Sequence, residues 1–284
     1  MNINWFPGHM AKTRNMISEN LKLVDVVIEL ADCRIPYSSR NPDIDTITGT
    51  KPKILVLAKS DMADSAATEK WLAFYKSKGL YTLAANCISP KGTGEIKRAI
   101  DFVLKDKIKR DLKKGFINRP AKIMVVGIPN VGKSSFINKL SRRAGAKTGD
   151  KPGITKGKQW IKIHGGYELL DTPGVLWPRF DEKTGLYLAY TGAIKKEVYD
   201  TVQAGTSLCL FLAENYPENI VSRYTLPDIA GKDEHEILSG IAKSRGCIKS
   251  GGEIDTERAA IILLDEFRSG RLGNITLELP SDIQ

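Results

Sequence analysis

The chain lacks the features that mark a cysteine metal site, a disulfide scaffold or a membrane protein. Its four cysteines, Cys33, Cys87, Cys209 and Cys247, are widely scattered, with no C-x-x-C pair and no metal-ligand grouping. Reduced thiols are therefore expected, not a disulfide framework or a cysteine metal site. No apolar run approaches the ~20 residues of a membrane helix, and Thr206–Ala213 is short enough to read as a core helix. The N-terminus has no basic region followed by an apolar stretch, so no secretory signal is expected. No internal repeat or low-complexity tract stands out. These absences lead to an expected cytoplasmic location with no membrane partner.

What remains is an ordinary globular composition, 42% hydrophobic and 27% charged over 284 residues, long enough for two domains with a sizeable core. Charge is unevenly spread. Residues 1–180 carry 32 Lys and Arg against 16 Asp and Glu, a net of +16, whereas 181–284 are net −6. A basic excess confined to one half favours a polyanionic partner through long-range attraction. RNA fits this best, and DNA is not expected. The acidic half offers RNA only local clusters, such as Lys243, Arg245 and Lys249.

The sharpest motif is Gly127-Ile128-Pro129-Asn130-Val131-Gly132-Lys133-Ser134, which fits G-x-x-x-x-G-K-[ST]. Lys122–Val126 reads as a buried strand entering it, and Ser135–Leu140 as the helix leaving it. Its glycines let backbone N–H groups turn onto a phosphate at a helix N-terminus, where negative charge is favoured. Lys133 would reach the β- and γ-phosphates and Ser134 would bind Mg²⁺. Downstream, Asp171-Thr172-Pro173-Gly174 is a D-x-x-G element, with Asp171 towards the metal and the Gly174 N–H towards the γ-phosphate. Between them, Thr155 could close over the γ-phosphate and metal. Upstream, Ile54–Leu57 leads into Ala58-Lys59-Ser60-Asp61, close to the guanine-reading N-K-x-D. Base-reading elements thus precede the phosphate elements, a rotated order. Rotation preserves a fold when the old termini are joined at the surface, here through the charge-rich stretch from Lys105 to Pro120.

Strands alternating with helices predict an α/β fold with a mostly parallel sheet covered by helices. The expected order includes a Trp5–Gly8 loop, a helix over Ala11–Leu23, and strands at Val24–Leu30, Ile54–Leu57 and Tyr81–Ala85. Helices follow at Ala66–Lys78 and Gly94–Lys109, then a hairpin about His164-Gly165-Gly166. After Trp177 the pattern turns helical. Asp255 is placed to cap a helix over Thr256–Ser269. The division expected is a permuted nucleotide-binding domain at 1–178 and an all-helical domain at 179–284.

Trp5–Met10, Asp32-Cys33-Arg34-Ile35-Pro36, Gly127–Ser134 and Asp171–Gly174 together resemble the circularly permuted GTPases, and most closely the bacterial ribosome biogenesis GTPase A family. The resemblance runs over nearly the whole chain. It implies a P-loop GTPase fold, GTP as substrate, and a partner in the precursor of the large ribosomal subunit and its rRNA. On that reading Lys59 and Ser60 flank the base, and Asp61 accepts the guanine N1–H and N2–H₂. Asn86 and Cys87 fall in the following loop. Asn130, Val131, Gly132, Lys133, Ser134, Ser135 and Gly174 surround the phosphates. Mg²⁺ is held by Ser134, Thr155 and Asp171.

Three positions are less settled by the residues. Ala58 stands where the family has Asn, a loss worth roughly 0.5–1.5 kcal/mol for one hydrogen bond. Val175 follows the D-x-x-G where many GTPases place a water-orienting Gln. His9 is the substitute water-aligning group; the residues alone equally admit a hydrogen-bonding loop histidine, and the resemblance favours catalysis. Asn130 could offer its carbonyl to K⁺ beside the phosphates, or serve only the geometry of the turn. The expected catalytic set is His9, Lys133 and Thr155. Two rival readings are an RNA-binding module with a nearly silent nucleotide site, suggested by Val175, and a P-loop ATPase of relaxed base specificity, suggested by Ala58.

Overall fold

A computed structural model describes residues 7–86, 93–116, 119–141, 160–163, 166–177 and 179–283; the side chains of 7–13 and 93 lie outside the description. Two compact units are formed. One holds Phe6–Arg179 together with Thr276–Gln284, and the other holds Phe180–Ile275.

The first unit is built on three apolar runs. β1 (Val26–Asp32) is buried along its whole length, and β2 (Lys53–Ala58) and β4 (Ala121–Gly127) nearly so. Strands apolar on both faces belong in the middle of a parallel sheet covered by helices. With β3 (Tyr81–Ala85), β5 (Trp160–Ile163) and β6 (Tyr167–Asp171) they form one sheet in the order β3-β2-β1-β4-β6-β5. The five strands other than β5 run parallel; β5 pairs antiparallel with β6, as the expected hairpin requires. The helices of this unit are α1 (Pro7–Leu21), α2 (Pro42–Thr48), α3 (Ser65–Ser77), α4 (Thr93–Val103), α5 (Lys105–Lys113) and α6 (Lys133–Ser141).

Three features differ from the expected elements. The first helix begins at Pro7 rather than Ala11; proline suits a first turn, where its missing N–H has no partner to lose. The helix expected over Gly94–Lys109 is divided at Leu104. Ile96, Ala99, Ile100 and Leu104 bury one after another; beyond them Ile108 and Leu112 are exposed, so the second helix buries none of its residues. A short helix, α2, also forms where none was expected, with Asn41 capping it and Pro42 in its first turn.

The second unit contains α7 (Glu182–Tyr190), α8 (Thr201–Asn215), α9 (Pro217–Tyr224), α10 (Glu234–Arg245) and α11 (Thr256–Arg268). α8 and α11 pack so closely that a Cβ on Gly205 would lie 2.3 Å from the Ala260 carbonyl oxygen. Ile237, Leu238, Ile241 and Ala242 are buried as the helical period predicts, and Asp255 accepts from Arg258 N–H at 2.9 Å as the expected cap. Arg245 sits over the Tyr224 ring at 4.8 Å and pairs with Glu266 at 3.1 Å. Its charge is thus engaged inside the unit, which weakens the Lys243–Arg245–Lys249 cluster as an RNA contact. The helical domain expected at 179–284 ends early here, because Thr276 onward packs with the first unit.

Candidate nucleotide site

The chain runs outward from β1 through β2 to β3, then returns to β4 on the other side of β1. A parallel sheet whose order reverses in this way opens a crevice at the carboxyl ends of the two strands, where ligands bind. Here Leu30 of β1 is level with Gly127 of β4, and Asp32 is level with Ala58 of β2. One strand therefore separates the phosphate motif from the base-reading motif.

On the phosphate side the backbone sets the geometry. A Cβ on Gly127 would meet the Leu30 carbonyl oxygen at 2.7 Å. Asn130 has φ +57° and Gly132 φ +104°, conformations that glycine and, among other residues, asparagine adopt most readily. This gives Asn130 a role in the turn whether or not it also meets an ion. Lys133 opens α6 and folds back over the loop, donating to the Ile128 carbonyl at 2.7 Å and the Gly127 carbonyl at 3.1 Å. Burial pushes its ammonium down to about 8, against the pull of the Asp171 carboxylate. Ser134 and Ser135 are half-buried on the first turn, and Val131 is buried beneath the loop.

The D-x-x-G element lies against this loop. Thr172 donates to the Val125 carbonyl at 2.6 Å, and Val175 N–H donates to the Gly127 carbonyl at 3.1 Å. A Cβ on Gly174 would sit 2.7 Å from the Pro129 nitrogen and 3.0 Å from Lys133 Nζ. Val175 is not turned to water: it is buried with Ile17 and Leu21 of α1, Val27 of β1, and Met124 and Val126 of β4. The sequence signal for a missing glutamine thus has a packing explanation, since this position joins D-x-x-G to the helix that carries His9. His9 belongs to α1 rather than to a terminal loop; its side chain lies outside the described residues, as do Thr155 and Cys87.

The base-reading side is held by charge. Lys59 has φ +59°, and its ammonium donates to Asp32 Oδ2 at 2.9 Å. Arg34 grips the same carboxylate through Nε at 2.9 Å and Nη2 at 2.8 Å. Burial alone would raise the Asp32 carboxyl; the Arg34 guanidinium and Lys59 ammonium overcome it and hold the group well below the usual carboxylate range. Cys33 N–H donates to the buried Ala58 carbonyl at 2.8 Å. Ser60 is half-buried and Asp61 is exposed at the rim. Across the crevice Lys139 of α6 donates to the Asn86 carbonyl. Asp32–Lys59 thus ties the residue after Ala58 to the end of β1, and Lys139–Asn86 ties the residue after β3 to α6.

A third component was not foreseen. Thr276 accepts from Asp64 N–H at 3.1 Å, three residues beyond Asp61. Leu277 N–H donates to the Arg34 carbonyl at 2.8 Å, and Trp71 Nε1 donates to the Glu278 carbonyl at 2.9 Å. The Glu278 carboxylate accepts from the N–H groups of Tyr37 and Ser38 and from the Ser38 hydroxyl. The one local sign of this corner was Asp32-x-Arg34, an acid closing a buried strand with a base two residues on; nothing local pointed to Thr276 or Glu278.

A family described as 50S ribosome-binding GTPase matches residues 122–236. Ribosome biogenesis GTPase A of Bacillus cereus is 46% identical over 283 residues, covering 99% of this chain and 95% of that protein. The chain belongs to the ribosome biogenesis GTPase A family. A GDP-bound YlqF structure superposes with a TM-score of 0.70 at 26% identity, over 94% of this chain and 100% of that one. A GNP-bound YlqF from T. maritima gives 0.66 at 27%, over 96% and 100%. Like other ribosome biogenesis GTPase A proteins, this one is an enzyme that binds and hydrolyses GTP. Among the described residues no helix is long and apolar enough to cross a membrane.

Proposed function

We propose that this GTPase acts in the cytoplasm on the precursor of the large ribosomal subunit, binds its rRNA, and uses GTP to time a step of its maturation. The partner is supported by the basic excess of residues 1–180 and the ribosome biogenesis relatives; the timing is supported by the close approach of Gly174 to Pro129, followed by Val175 buried against α1. A γ-phosphate at the P-loop would press on the loop that supports α1, so nucleotide state and His9 are mechanically linked. Asp61 reads the guanine edge, with Lys59 along the base and Ser60, Asn86 and Cys87 beside it. Lys133 and the amides of 130–135 hold the phosphates.

Ser134 and Asp171 offer hydroxyl and carboxylate oxygens at the ends of adjoining elements, a donor set that suits Mg²⁺; Thr155 completes it. Bound Mg²⁺ would neutralise charge on the phosphates. A K⁺ ion at the Asn130 carbonyl would add to that effect. His9 aligns the attacking water. The protein is slow alone and faster on its particle.

The test is GTP turnover, with ATP as the competing nucleotide, in the presence and absence of large and small subunits. Stimulation by large subunits alone, falling ~10²–10⁴-fold in His9→Ala at unchanged GTP affinity, is expected. Equal stimulation by small subunits overturns the assignment of partner; ATP turnover equal to GTP overturns that of Asp61.

A further inference from the structure

The return path from β3 to β4 contains a helix that the nucleotide fold does not use. α5 has no buried residue. A nine-residue helix without a packed face is marginal on its own in water, so its composition is not explained by the core. Its inner side is fixed by Lys107, which pairs with Asp25 at 3.4 Å and Asp111 at 2.7 Å. Asp25 also accepts from Lys122 N–H at 2.9 Å, at the start of β4.

On a helix of 3.6 residues per turn, Lys105, Lys109 and Lys113 fall opposite Leu104, Lys107 and Asp111. All three lysines are exposed. They form a row about 12 Å long, enough to face two or three successive phosphates of one strand. Asp106 is the one acid near that row, in the first turn, where it favours the helix itself. Residues 105–119 hold seven Lys and Arg against two Asp, nearly a third of the whole excess of the basic half.

Beside the lysine row lie Ile108 and Leu112, 37% and 56% exposed, and Phe116, 52% exposed, follows just after the helix end. Phe116 is not loosely placed: its N–H donates to the Asp111 carbonyl at 3.0 Å, and Gly115 turns the chain at φ +80°. An exposed ring on a backbone held in place, close to a row of cations, is what an unpaired base stacks on while its own backbone meets the charges.

We infer that α5 and Phe116 form an RNA-docking surface, with Lys105, Lys109 and Lys113 on the phosphates of one strand and Phe116 under an unpaired base. This rests on the proposal that the protein binds rRNA. The surface is separate from the P-loop, so it can be altered without touching nucleotide binding.

The experiment measures binding of the full chain to large ribosomal subunits and to a labelled oligouridylate over a salt series. Lys105→Ala/Lys109→Ala/Lys113→Ala should weaken both and reduce the slope of log affinity against log salt by about 2, at roughly 0.7–0.9 per lost phosphate contact. The triple Arg variant should restore the slope. Phe116→Ala should cost roughly 5- to 150-fold with little change of slope. GTP affinity should be equal in all variants, which shows that the fold is intact.

Wild-type affinity and slope in the triple Ala variant overturn the inference, as does α5-dependent binding to anionic phospholipid vesicles with none to RNA. If wild type binds oligouridylate through α5 but ignores large subunits, the docking surface stands and the large-subunit reading falls. If it binds neither, both fall.

Discussion

The two sides of the crevice are built in different ways. The phosphate side is a matter of close backbone approach: Gly127 against Leu30, Gly174 against Pro129, and one lysine folded over carbonyls of its own loop. The P-loop itself, Gly127–Ser134, is one contiguous stretch, on which Leu30 and Gly174 close from elsewhere in the chain. The base side is a buried charge cluster, Asp32 with Arg34 and Lys59, fastened by residues more than two hundred positions later in the chain. Phosphate is the same in every nucleotide and can be met by a local template. Placing a base-reading loop relative to that template needs the rest of the fold.

That contrast can be broken in order of expected effect. Asp32→Ala leaves Arg34 buried without its carboxylate, and losing one partner of such a pair costs about 3–5 kcal/mol. Chemical denaturation should show that loss, and GTP and GDP affinity should fall together. A variant as stable as wild type would mean that the cluster does not organise the base side.

Gly174→Ala should do the opposite. The added methyl meets the Pro129 backbone; on the proposed role of Gly174 the γ-phosphate donor is displaced and turnover falls on the order of 10²–10³-fold, with a much smaller loss of GDP binding. Equal loss of GDP binding would show that the loop is a general support and not a γ-phosphate contact.

Glu278→Ala removes the acceptor for the Tyr37 and Ser38 N–H groups and should cost about 1–3 kcal/mol, read by the same denaturation. Turnover per folded molecule at saturating GTP should not change. A fall in turnover with full stability would move Glu278 to the phosphate side of the comparison.

The smallest effect is a proton. Burial holds free Lys133 at about 8, below its unfolded value, so stability from this group rises as pH climbs from about 8 towards the ordinary lysine range and the burial penalty is relieved. Bound phosphates restore the charge. Above pH 8 GTP binding should therefore take up a proton, and affinity should fall towards tenfold per pH unit. Calorimetry in two buffers of different ionisation enthalpy checks this. Absence of proton uptake at pH 9 would mean that Lys133 stays charged on its carbonyls.

The same contrast decides what could be read in advance. The P-loop, D-x-x-G and the strand Tyr81–Ala85 are contiguous patterns, and the structure places them as expected. Their order made a permuted nucleotide-binding fold legible; the family was legible as a resemblance, carried by these motifs together with Trp5–Met10 and Asp32–Pro36. The division at Leu104 was not legible, because charged residues such as Lys105–Lys109 suit an exposed helix as well as a continuing one. Lys59–Asp32 joins two strand ends 27 positions apart, and neither residue signals the other. Val175 was legible only as a missing glutamine; its apolar neighbours come from α1, β1 and β4, which no local window contains.

The strap formed by Thr276–Glu278 also has a consequence in time. Domains generally begin to fold as they leave the ribosome, N-terminal parts first, with synthesis at roughly 5–20 residues per second. Here the strands and the P-loop are complete by residue 171, but Ser38 waits for a partner 240 positions away. The nascent chain can thus hold a phosphate loop for several seconds before its base-reading corner is fastened. Contacts at such separation are also slow to close, so the corner around Asp32 and Ser38 is expected to close late, which a folding time course of Glu278→Ala against wild type would show.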